Sequence, residues 1–257
     1  MFKRETVSLI LPAYNEASSI EKAVFVTAEI LSKITDHFEI IIAEDGSKDG
    51  TDQIVLDLSK KYHYVFHLHS DERQGRGRAL NRAFKAASGE ILCYIDVDLA
   101  TDMIHLKELL HSISVEGYDI STGSRMIPGN DAKRSLKRGV ASNGFNFLVR
   151  TILSSKIYDH QCGFKAFKRE PLFNLLSEIQ DKGWFWDTEL LVLAQHHGYK
   201  VKEFPVTWRE GNTTKVDLKK DIFDMGFQIF RLQWTLNKQL KMNGGKPREV
   251  VAESREI

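Results

Sequence analysis

Two aspartates, Asp96 and Asp98, follow directly on an apolar run at residues 91–95. A short apolar run bounded by polar residues indicates a buried strand. Side chains alternate faces along a strand, so both carboxylates share one side if the strand continues through them. Neighbouring carboxylates repel each other and are costly to bury. We therefore expect a strand end where a divalent cation with oxygen ligands neutralises the pair and binds a diphosphate. The alternative is a polar loop that carries two unrelated aspartates.

A basic turn is the second candidate for chemistry. Arg73, Arg76 and Arg78 lie beside Gly75 and Gly77 at the start of a predicted helix. Backbone amides and guanidinium groups in this setting suit a phosphate. The alternative is a solvated charged loop. The turn is not a dinucleotide-binding fingerprint, because the turn after the first strand lacks the three glycines of that motif.

The elements that would position these groups repeat in a regular order. Strand, turn and helix alternate four times, with strands predicted at residues 7–11 (stopped by Pro12), 38–43, 64–68 and 91–95. This order predicts an α/β protein with a mostly parallel central sheet and helices on both faces. Ligands of such sheets bind outside the carboxyl ends of the strands. Three of the four strand ends carry polar pairs, namely Asn15 with Glu16, Glu44 with Asp45, and Asp96 with Asp98.

The second half of the chain is less regular. We predict a strand at residues 119–125, a polar loop at 129–133, a helix at 135–153, a short strand at 161–167, a helix at 184–197 and a strand at 200–208 bent at Pro205. Asp187 could simply cap the helix that starts near it. A long helix at residues 218–240 carries apolar side chains on more than one stripe, with lysines and arginines between them. It either packs on the domain or lies in a membrane interface.

Composition limits the class of protein. The chain has 257 residues, of which 42% are hydrophobic and 28% charged, which suits one large α/β domain. Lys and Arg total 36 and Asp and Glu total 35, which argues against binding nucleic acid through overall charge. Two cysteines form no disulfide framework and fit a reducing compartment. The lack of a signal peptide or a bilayer-spanning apolar run predicts a cytoplasmic protein, soluble or peripheral to a membrane.

Several blocks together resemble the family 2 glycosyltransferases of the GT-A fold: residues 11–16 (Leu-Pro-Ala-Tyr-Asn-Glu), 44–51 (Glu-Asp-Gly-Ser-Lys-Asp-Gly-Thr) and 96–98 (Asp-Val-Asp). Residues 123–125, 161–165 and 186–190 resemble the branch that contains dolichyl-phosphate mannose synthases and dolichyl-phosphate β-glucosyltransferases. The resemblance covers roughly residues 6–210. Together with the pattern of the last helix and the composition of the residues after it, the resemblance predicts a GT-A domain at 1–212, an amphipathic helix at 213–241 that could lie in a membrane interface, and a disordered tail at 242–257.

The resemblance implies inverting transfer of glucose or mannose from a nucleotide-sugar (UDP-glucose or GDP-mannose), with Mg²⁺ or Mn²⁺, to a polyprenyl (dolichyl) phosphate. Asp96 and Asp98 match the motif that holds the metal and the diphosphate. Together with Asp96, the residues expected at the nucleotide-sugar are Pro12, Tyr14, Glu16, Glu44, Asp45 and, from the basic turn, Arg76. Mannose synthases often have a polar ligand two residues after the second aspartate. Ala100 stands there in this chain, so water or Thr101 would complete the metal shell.

The acceptor side of the site rests on three matches. Arg125 matches an arginine that contacts the acceptor phosphate, and Arg138 with Ser142 matches a second acceptor-phosphate cluster. A phosphate monoester is already anionic near neutral pH and can attack without a protein base. Asp98, Arg125 and Arg138 would then act by stabilising developing charge and by orienting the acceptor.

Other functions remain open from the sequence. A family 2 transferase acting on a glycan hydroxyl would need Asp187 or Glu189 as a base, whereas with a phosphate acceptor these acids would bind sugar or cap the helix. A sugar nucleotidyltransferase would carry a glycine-rich basic loop where this chain has residues 12–16. The third alternative is an inactive subunit that scaffolds a membrane complex. The expected partners besides donor and acceptor are a membrane surface and an anchoring membrane protein.

Overall fold

The computed structural model describes residues 5–129, 131–133, 136–209 and 218–242, with side chains described except at 133, 136–138, 218–223 and 240–242. Its strands are β1 Val7–Ala13, β2 Phe38–Glu44, β3 Val65–Leu68, β4 Ile91–Ile95, β5 Ile120–Ser124, β6 Asp131–Lys133, β7 Phe164–Lys168, β8 Val201–Pro205 and β9 Thr207–Arg209. Its helices are α1 Ile20–Ile34, α2 Thr51–Lys61, α3 Arg76–Ala86, α4 Leu106–Ser114, α5 Leu136–Ile152, α6 Arg169–Leu176, α7 Trp186–His196 and α8 Leu218–Met242, and Met103–His105 forms a 3₁₀ turn.

Seven strands form the main sheet in the order β3-β2-β1-β4-β7-β5-β8. Pairing is parallel throughout except at β7, which lies antiparallel between β4 and β5. The predicted mostly parallel sheet is therefore confirmed. Because six strands point the same way, their carboxyl ends meet at one edge of the sheet.

Alternate residues of each strand supply two separate cores. In β4, Leu92 and Tyr94 pack into a core covered by α3 and α5 to α8, whereas Ile91, Cys93 and Ile95 pack into a core covered by α1, α2 and α4. Period-two alternation along a strand buried on both faces produces this division. The predicted helices on both faces are confirmed, and α4 and α6 are helices that the sequence analysis did not identify.

Three local predictions are wrong. β1 extends beyond Leu11, because its pairing with β4 already ends at Ile10 and a proline at position 12 then removes no hydrogen bond on that side. The predicted loop at 129–133 contains β6, which pairs with β9. The predicted strand at 200–208 is two strands, and between them the N–H of Val206 donates to the carbonyl oxygen of Ser124 at 3.0 Å. Each correction comes from pairing with a distant segment.

The last helix presents two apolar stripes. One stripe is buried in the core shared with α5, and the other is exposed, with Phe227, Phe230 and Trp234 showing 69%, 65% and 67% of their surface. The buried stripe consists of Met225, Ile229, Leu232 and Leu236. Among the described helices, none combines the length and the apolar character needed to cross a bilayer. Residues 213–217 and all of the predicted tail after 242 lie outside the described residues.

Candidate functional site

Hydrogen bonds join the turn that follows β1 to the turn that follows β2. The N–H of Asn15 donates to Ser47 Oγ at 2.9 Å, and the N–H of Glu16 donates to Thr51 Oγ1 at 2.8 Å. Asn15 adopts a left-handed backbone (φ 53°), which asparagine tolerates better than most residues. Pro12, Tyr14 and Glu16 are all partly exposed along this loop. They are therefore accessible to a ligand, and their role at a nucleoside stays a prediction.

The acids at the end of β2 hold other parts of the protein. Glu44 is buried, and its carboxylate accepts from the N–H of Ser47 at 2.5 Å and contacts His69 at 2.7 Å. Asp45 accepts from the backbone N–H groups of Gln74 and Gly75, at 3.0 and 2.9 Å. Asp45 thus fixes the basic turn to the end of β2. Contact of either acid with a base or ribose stays a prediction.

The basic turn places its arginines in different environments. Gly75 has a left-handed φ of 105°, and a Cβ there would lie 2.6 Å from the carbonyl oxygen of Lys182, so only glycine fits. Arg73 is exposed and stacks on the Tyr14 ring at 4.0 Å. Arg76 opens α3 and points inward, with 13% of its side chain exposed. The sequence did not distinguish the two arginines, because a turn motif carries no information on which side chain is buried.

Arg76 connects the acid pair to α7. Its Nη2 donates to Asp96 Oδ1 at 2.8 Å and its Nη1 donates to Asp187 Oδ2 at 2.5 Å. The other oxygen of Asp187 accepts from the Tyr94 hydroxyl and lies 3.2 Å from Lys165 Nζ. We call these five residues, Arg76, Tyr94, Asp96, Lys165 and Asp187, the inner network.

Two residues of the inner network, Asp187 and Lys165, have pKa values shifted toward neutrality. Burial raises the pKa of Asp187 to about 6, and the charge of Arg76 offsets only part of this rise. Burial also lowers the pKa of Lys165 to about 8. Burial lowers the pKa of Arg76, but the charges of Asp187 and Asp96 raise it by more, so the guanidinium stays charged. Groups with shifted pKa values often belong to functional sites.

Asp187 is not a helix cap. The residue that precedes α7 is Phe185, and Asp187 lies inside the first turn with its side chain in the inner network. Tyr94 and Lys165 were not identified from the sequence as functional candidates. The sequence does hold one signal for Lys165, which is a charged residue within an otherwise apolar strand. A lysine buried there needs a partner of opposite charge.

The acid pair lies in a turn. β4 ends at Ile95, so the conditional expectation that the strand continues through both aspartates is wrong. The N–H of Asp96 donates to the carbonyl oxygen of Gly163 at 3.0 Å, and Asp98 Oδ1 accepts from the N–H of Ala100 at 3.0 Å. Leu99, which follows Asp98, has a left-handed φ of 50°, a conformation that costs a non-glycine residue about 1–2 kcal/mol.

The donor atoms of this turn fit a hard divalent cation. The Asp96 side chain is 47% exposed, and Asp98 is exposed. A Cβ at Gly163 would overlap the Asp96 carboxylate, so the absence of a side chain there leaves the carboxylate its space. Thr101 lines the same small cavity as Asp96. Carboxylate and hydroxyl oxygens are ligands that Mg²⁺ and Mn²⁺ accept.

Arg125 lies directly after β5 and is fixed by a buried acid. Its Nε and Nη2 donate to the two oxygens of Asp159 at 2.7 and 2.9 Å, and its guanidinium lies 5.5 Å from the Trp208 ring. The N–H of Asp159 in turn donates to Glu203 at 2.8 Å. Burial lowers the pKa of Arg125, but Asp159 and, more weakly, Asp96 raise it by more. Asp159 was missed by sequence analysis, although it lies two residues before the 161–165 block.

The remaining predicted residues lie on α5 and α7. Ser142 is partly exposed, and its carbonyl oxygen accepts from Asn146, whose Oδ1 accepts from the backbone N–H of His160 at 3.0 Å. The helix carrying Ser142 is thus tied to the segment that holds Arg125. Arg138 belongs to α5, but its side chain lies outside the described residues. Glu189 is buried and lies 2.9 Å from Arg231 of α8, which indicates a packing role.

Comparison with known proteins gives three findings. Residues 8–176 match the family model described as glycosyl transferase family 2. The chain is 52% identical over 232 residues to glycosyltransferase AglD of Haloferax volcanii, covering 90% of this chain and 37% of that protein. It is 31% identical over 241 residues to a dolichyl-phosphate beta-glucosyltransferase of Dictyostelium discoideum, covering 89% of this chain and 74% of that protein. The chain thus spans just over a third of the first relative and about three quarters of the second.

A solved structure has the same fold. Glucosyl-3-phosphoglycerate synthase of Mycobacterium tuberculosis, crystallised with Mn²⁺, UDP and glucosyl-3-phosphoglycerate, superposes with a TM-score of 0.65 at 20% identity. The superposition covers 91% of this chain and 80% of that one. At this identity the likeness supports the predicted GT-A architecture and nothing finer.

Proposed function

We propose that this chain, which belongs to glycosyl transferase family 2, transfers a hexose from a nucleotide-sugar to a polyprenyl (dolichyl) phosphate with inversion at the anomeric carbon. The observation that carries the proposal is the exposed acid pair Asp96–Asp98 beside two largely buried, charged arginines, Arg76 and Arg125, whose side chains are 13% and 15% exposed. The acid pair with Arg76 suits a metal-bound diphosphate, and Arg125 suits an anionic acceptor. The name of the second relative favours glucose, hence UDP-glucose, over mannose.

The donor half of the site follows from the ends of β1, β2 and β4. Asp96 and Asp98 would hold Mg²⁺ or Mn²⁺, which neutralises charge on the departing diphosphate. Arg76 keeps one oxygen of Asp96 fixed at 2.8 Å, so the carboxylate is oriented before any ligand arrives. Pro12, Tyr14 and Glu16 would contact the nucleoside along the partly exposed loop after β1. Glu44 and Asp45 would act on the nucleoside indirectly, by holding the neighbouring turns in place.

The acceptor half is assigned to Arg125, Arg138 and Ser142. A phosphate oxygen of the acceptor would attack the anomeric carbon. A new C–O bond forms, the bond to the donor phosphate breaks, and the nucleoside diphosphate leaves with the electron pair. Asp159 holds Arg125 through two hydrogen bonds, which leaves the guanidinium rigid for orienting an anion. No protein base is required, because the attacking oxygen is already ionised.

Transfer to a glycan hydroxyl is the second candidate. It is favoured by the pKa of Asp187, raised to about 6 by burial against the weaker lowering effect of Arg76, because a general base works best near the operating pH. It is disfavoured by the contacts of that carboxylate with Arg76, Lys165 and Tyr94, which already occupy both oxygens. Glu189 is similarly engaged with Arg231.

A donor and acceptor screen tests the proposal. The purified chain is incubated with labelled UDP-glucose or GDP-mannose and Mg²⁺ or Mn²⁺, with either polyprenyl phosphate or soluble glycans. We expect label in the lipid extract only with polyprenyl phosphate, with UDP-glucose the better donor. Label in soluble glycans would support the hydroxyl reaction instead, and pyrophosphate release from a nucleoside triphosphate would support a nucleotidyltransferase. Failure to bind any donor would indicate that the chain is a non-catalytic subunit.

The acceptor in this proposal is a lipid, and the surface of the chain offers a place for a membrane. We propose that the exposed stripe Phe227, Phe230 and Trp234 of α8, together with Phe147 and Leu148 of α5, lies in the membrane interface at the cytoplasmic face. Lys238 lies 5.4 Å from the Trp234 ring, which places a cation beside the aromatic group. Aromatic side chains with flanking cations are typical of interfacial helices.

Replacing the stripe tests this peripheral association. We expect the triple variant Phe227→Ser, Phe230→Ser and Trp234→Ser to bind anionic vesicles at least about tenfold more weakly, since each buried aromatic contributes about 1.5–3 kcal/mol. Flotation with vesicles measures the bound fraction. Phe66→Ser is the control, because Phe66 is also exposed but lies on β3. Equal binding by both variants would contradict the assignment, and no vesicle binding by the wild type would favour anchoring by a membrane protein.

A further inference from the structure

A cluster of two acids and two histidines lies at the ends of β2 and β3. Glu44 ends β2, Asp52 is in the first turn of α2, and His67 and His69 are two residues apart at the end of β3. His67 lies within β3 and His69 follows its last residue, and the centroids of the two rings are 5.7 Å apart. One ligand atom from each of the four residues lies within 4.8 Å of the others.

The distances within the cluster are short. Asp52 Oδ1 lies 3.1 Å from His67 Nε2 and 3.0 Å from His69 Nδ1, and Glu44 Oε2 lies 2.7 Å from His69 Nδ1. Tetrahedral bonds of about 2.0–2.1 Å place ligand atoms about 3.3–3.4 Å apart. Three of the six separations are thus slightly shorter than in a tetrahedral site and the others lie within 4.8 Å, so small shifts would let the four atoms surround a metal ion.

His67 has a buried nitrogen without a hydrogen bond. Its side chain is 10% exposed, and within the described part of the chain Nε2 has no hydrogen-bond partner, although Asp52 lies near. Leaving a buried polar atom unsatisfied costs about 1–3 kcal/mol, so such an atom calls for an explanation such as an ion.

The cluster also brings two carboxylates to one point. Glu44 Oε2 and Asp52 Oδ1 both lie close to His69 Nδ1, at 2.7 and 3.0 Å. A divalent cation at this point would balance the charges of both carboxylates.

We propose that Glu44, Asp52, His67 and His69 bind a divalent transition-metal ion of the Zn²⁺ type. Two imidazole nitrogens and two carboxylate oxygens suit Zn²⁺, whereas Mg²⁺ prefers oxygen ligands alone. The site is therefore chemically distinct from the acid pair at Asp96, and it does not depend on the proposed transferase reaction.

The ion would brace the edge of the sheet near the basic turn. It would join β2, β3 and α2 at one point. Asp45, the residue after Glu44, holds the N–H groups of Gln74 and Gly75 directly before Arg76. A metal at Glu44 would thereby restrict the turn that positions the inner network.

Cobalt substitution tests the site without using activity. The full chain is freed of metal by chelation and titrated with Co²⁺ in the absence of nucleotide. We expect one equivalent to give the visible absorption of tetrahedral cobalt, Zn²⁺ to displace it, and Zn²⁺ to raise the melting temperature. Binding to the folded state alone stabilises it by mass action.

Matched variants identify the ligands. His67→Ala and Asp52→Asn should weaken Co²⁺ binding by at least about tenfold. His63→Ala, which removes an exposed histidine outside the cluster, should bind like the wild type, and so should the double variant Asp96→Asn with Asp98→Asn. Circular dichroism checks that each variant folds. A wild type without tetrahedral cobalt absorption, or Asp52→Asn and His67→Ala binding as tightly as His63→Ala, would overturn the proposal.

Discussion

Asp98→Asn is expected to lower the rate of hexose transfer about 10³-fold while leaving the fold intact. The substitution removes one of the two charges that would hold the divalent cation, and the cation contributes several kcal/mol to stabilising the departing diphosphate, where about 4 kcal/mol corresponds to 10³-fold. The asparagine oxygen can still accept the hydrogen bond from the N–H of Ala100, which is 3.0 Å long in the wild type. Initial rates with labelled donor and polyprenyl phosphate measure the effect.

Asp102→Asn is the matched control for this experiment. Asp102 is also exposed, and its side chain accepts from a backbone N–H two residues on, that of Ile104 at 3.0 Å. It makes the same local hydrogen bond as Asp98 but lies outside the proposed metal site. We expect its rate to stay within about twofold of the wild type. A rate for Asp98→Asn above a tenth of the wild type, or an equal loss in both variants, would contradict the assignment of the acid pair.

Asp159→Asn is expected to destabilise the fold by about 3–5 kcal/mol, because it leaves the largely buried guanidinium of Arg125 without its counter-charge. Asp159 is fully buried and accepts two hydrogen bonds from the Arg125 side chain, at 2.7 and 2.9 Å, and one from its backbone N–H at 3.0 Å. Urea unfolding followed by circular dichroism measures the change in free energy. The midpoint should fall without a change in slope.

A double-mutant cycle separates the ion pair from other losses. Arg125→Met together with Asp159→Asn should be less destabilised than the sum of the single variants, since neither partner is then left as an unpaired buried charge. Glu29→Gln is the control, because it breaks the exposed pair of Glu29 with Lys33 and should leave the midpoint unchanged. Additive effects of the two buried substitutions would show that Asp159 does not stabilise the charge of Arg125.

The ion pair with Asp159 supports the proposed acceptor role of Arg125. An arginine whose Nε and Nη2 both donate to one carboxylate keeps a fixed orientation, and its remaining donors can meet an anion without first losing side-chain entropy. The same contacts mean that loss of Arg125 would affect folding as well as transfer. Stability and donor binding therefore have to be measured beside activity for any variant at this position.

The sequence alone determined the fold class and the place of the acid pair. Strand, turn and helix alternate with recognisable periods, and these periods depend only on neighbouring residues. Polar residues after β1, β2 and β4 could be assigned to one edge of the sheet, because parallel strands end on the same side. The family followed from several short blocks taken together, and the match over residues 8–176 confirms it.

Tertiary structure alone decided the partners of these groups. Arg76 and Asp187 are 111 residues apart, yet they form one ion pair, and β7 enters the sheet antiparallel between β4 and β5. β6 exists because a segment about 75 residues away supplies its hydrogen-bond partners. Periodicity specifies which face of an element is apolar, but it does not specify which distant element covers that face. That choice depends on packing and on the pairing of buried charges over the whole chain, which no local pattern encodes.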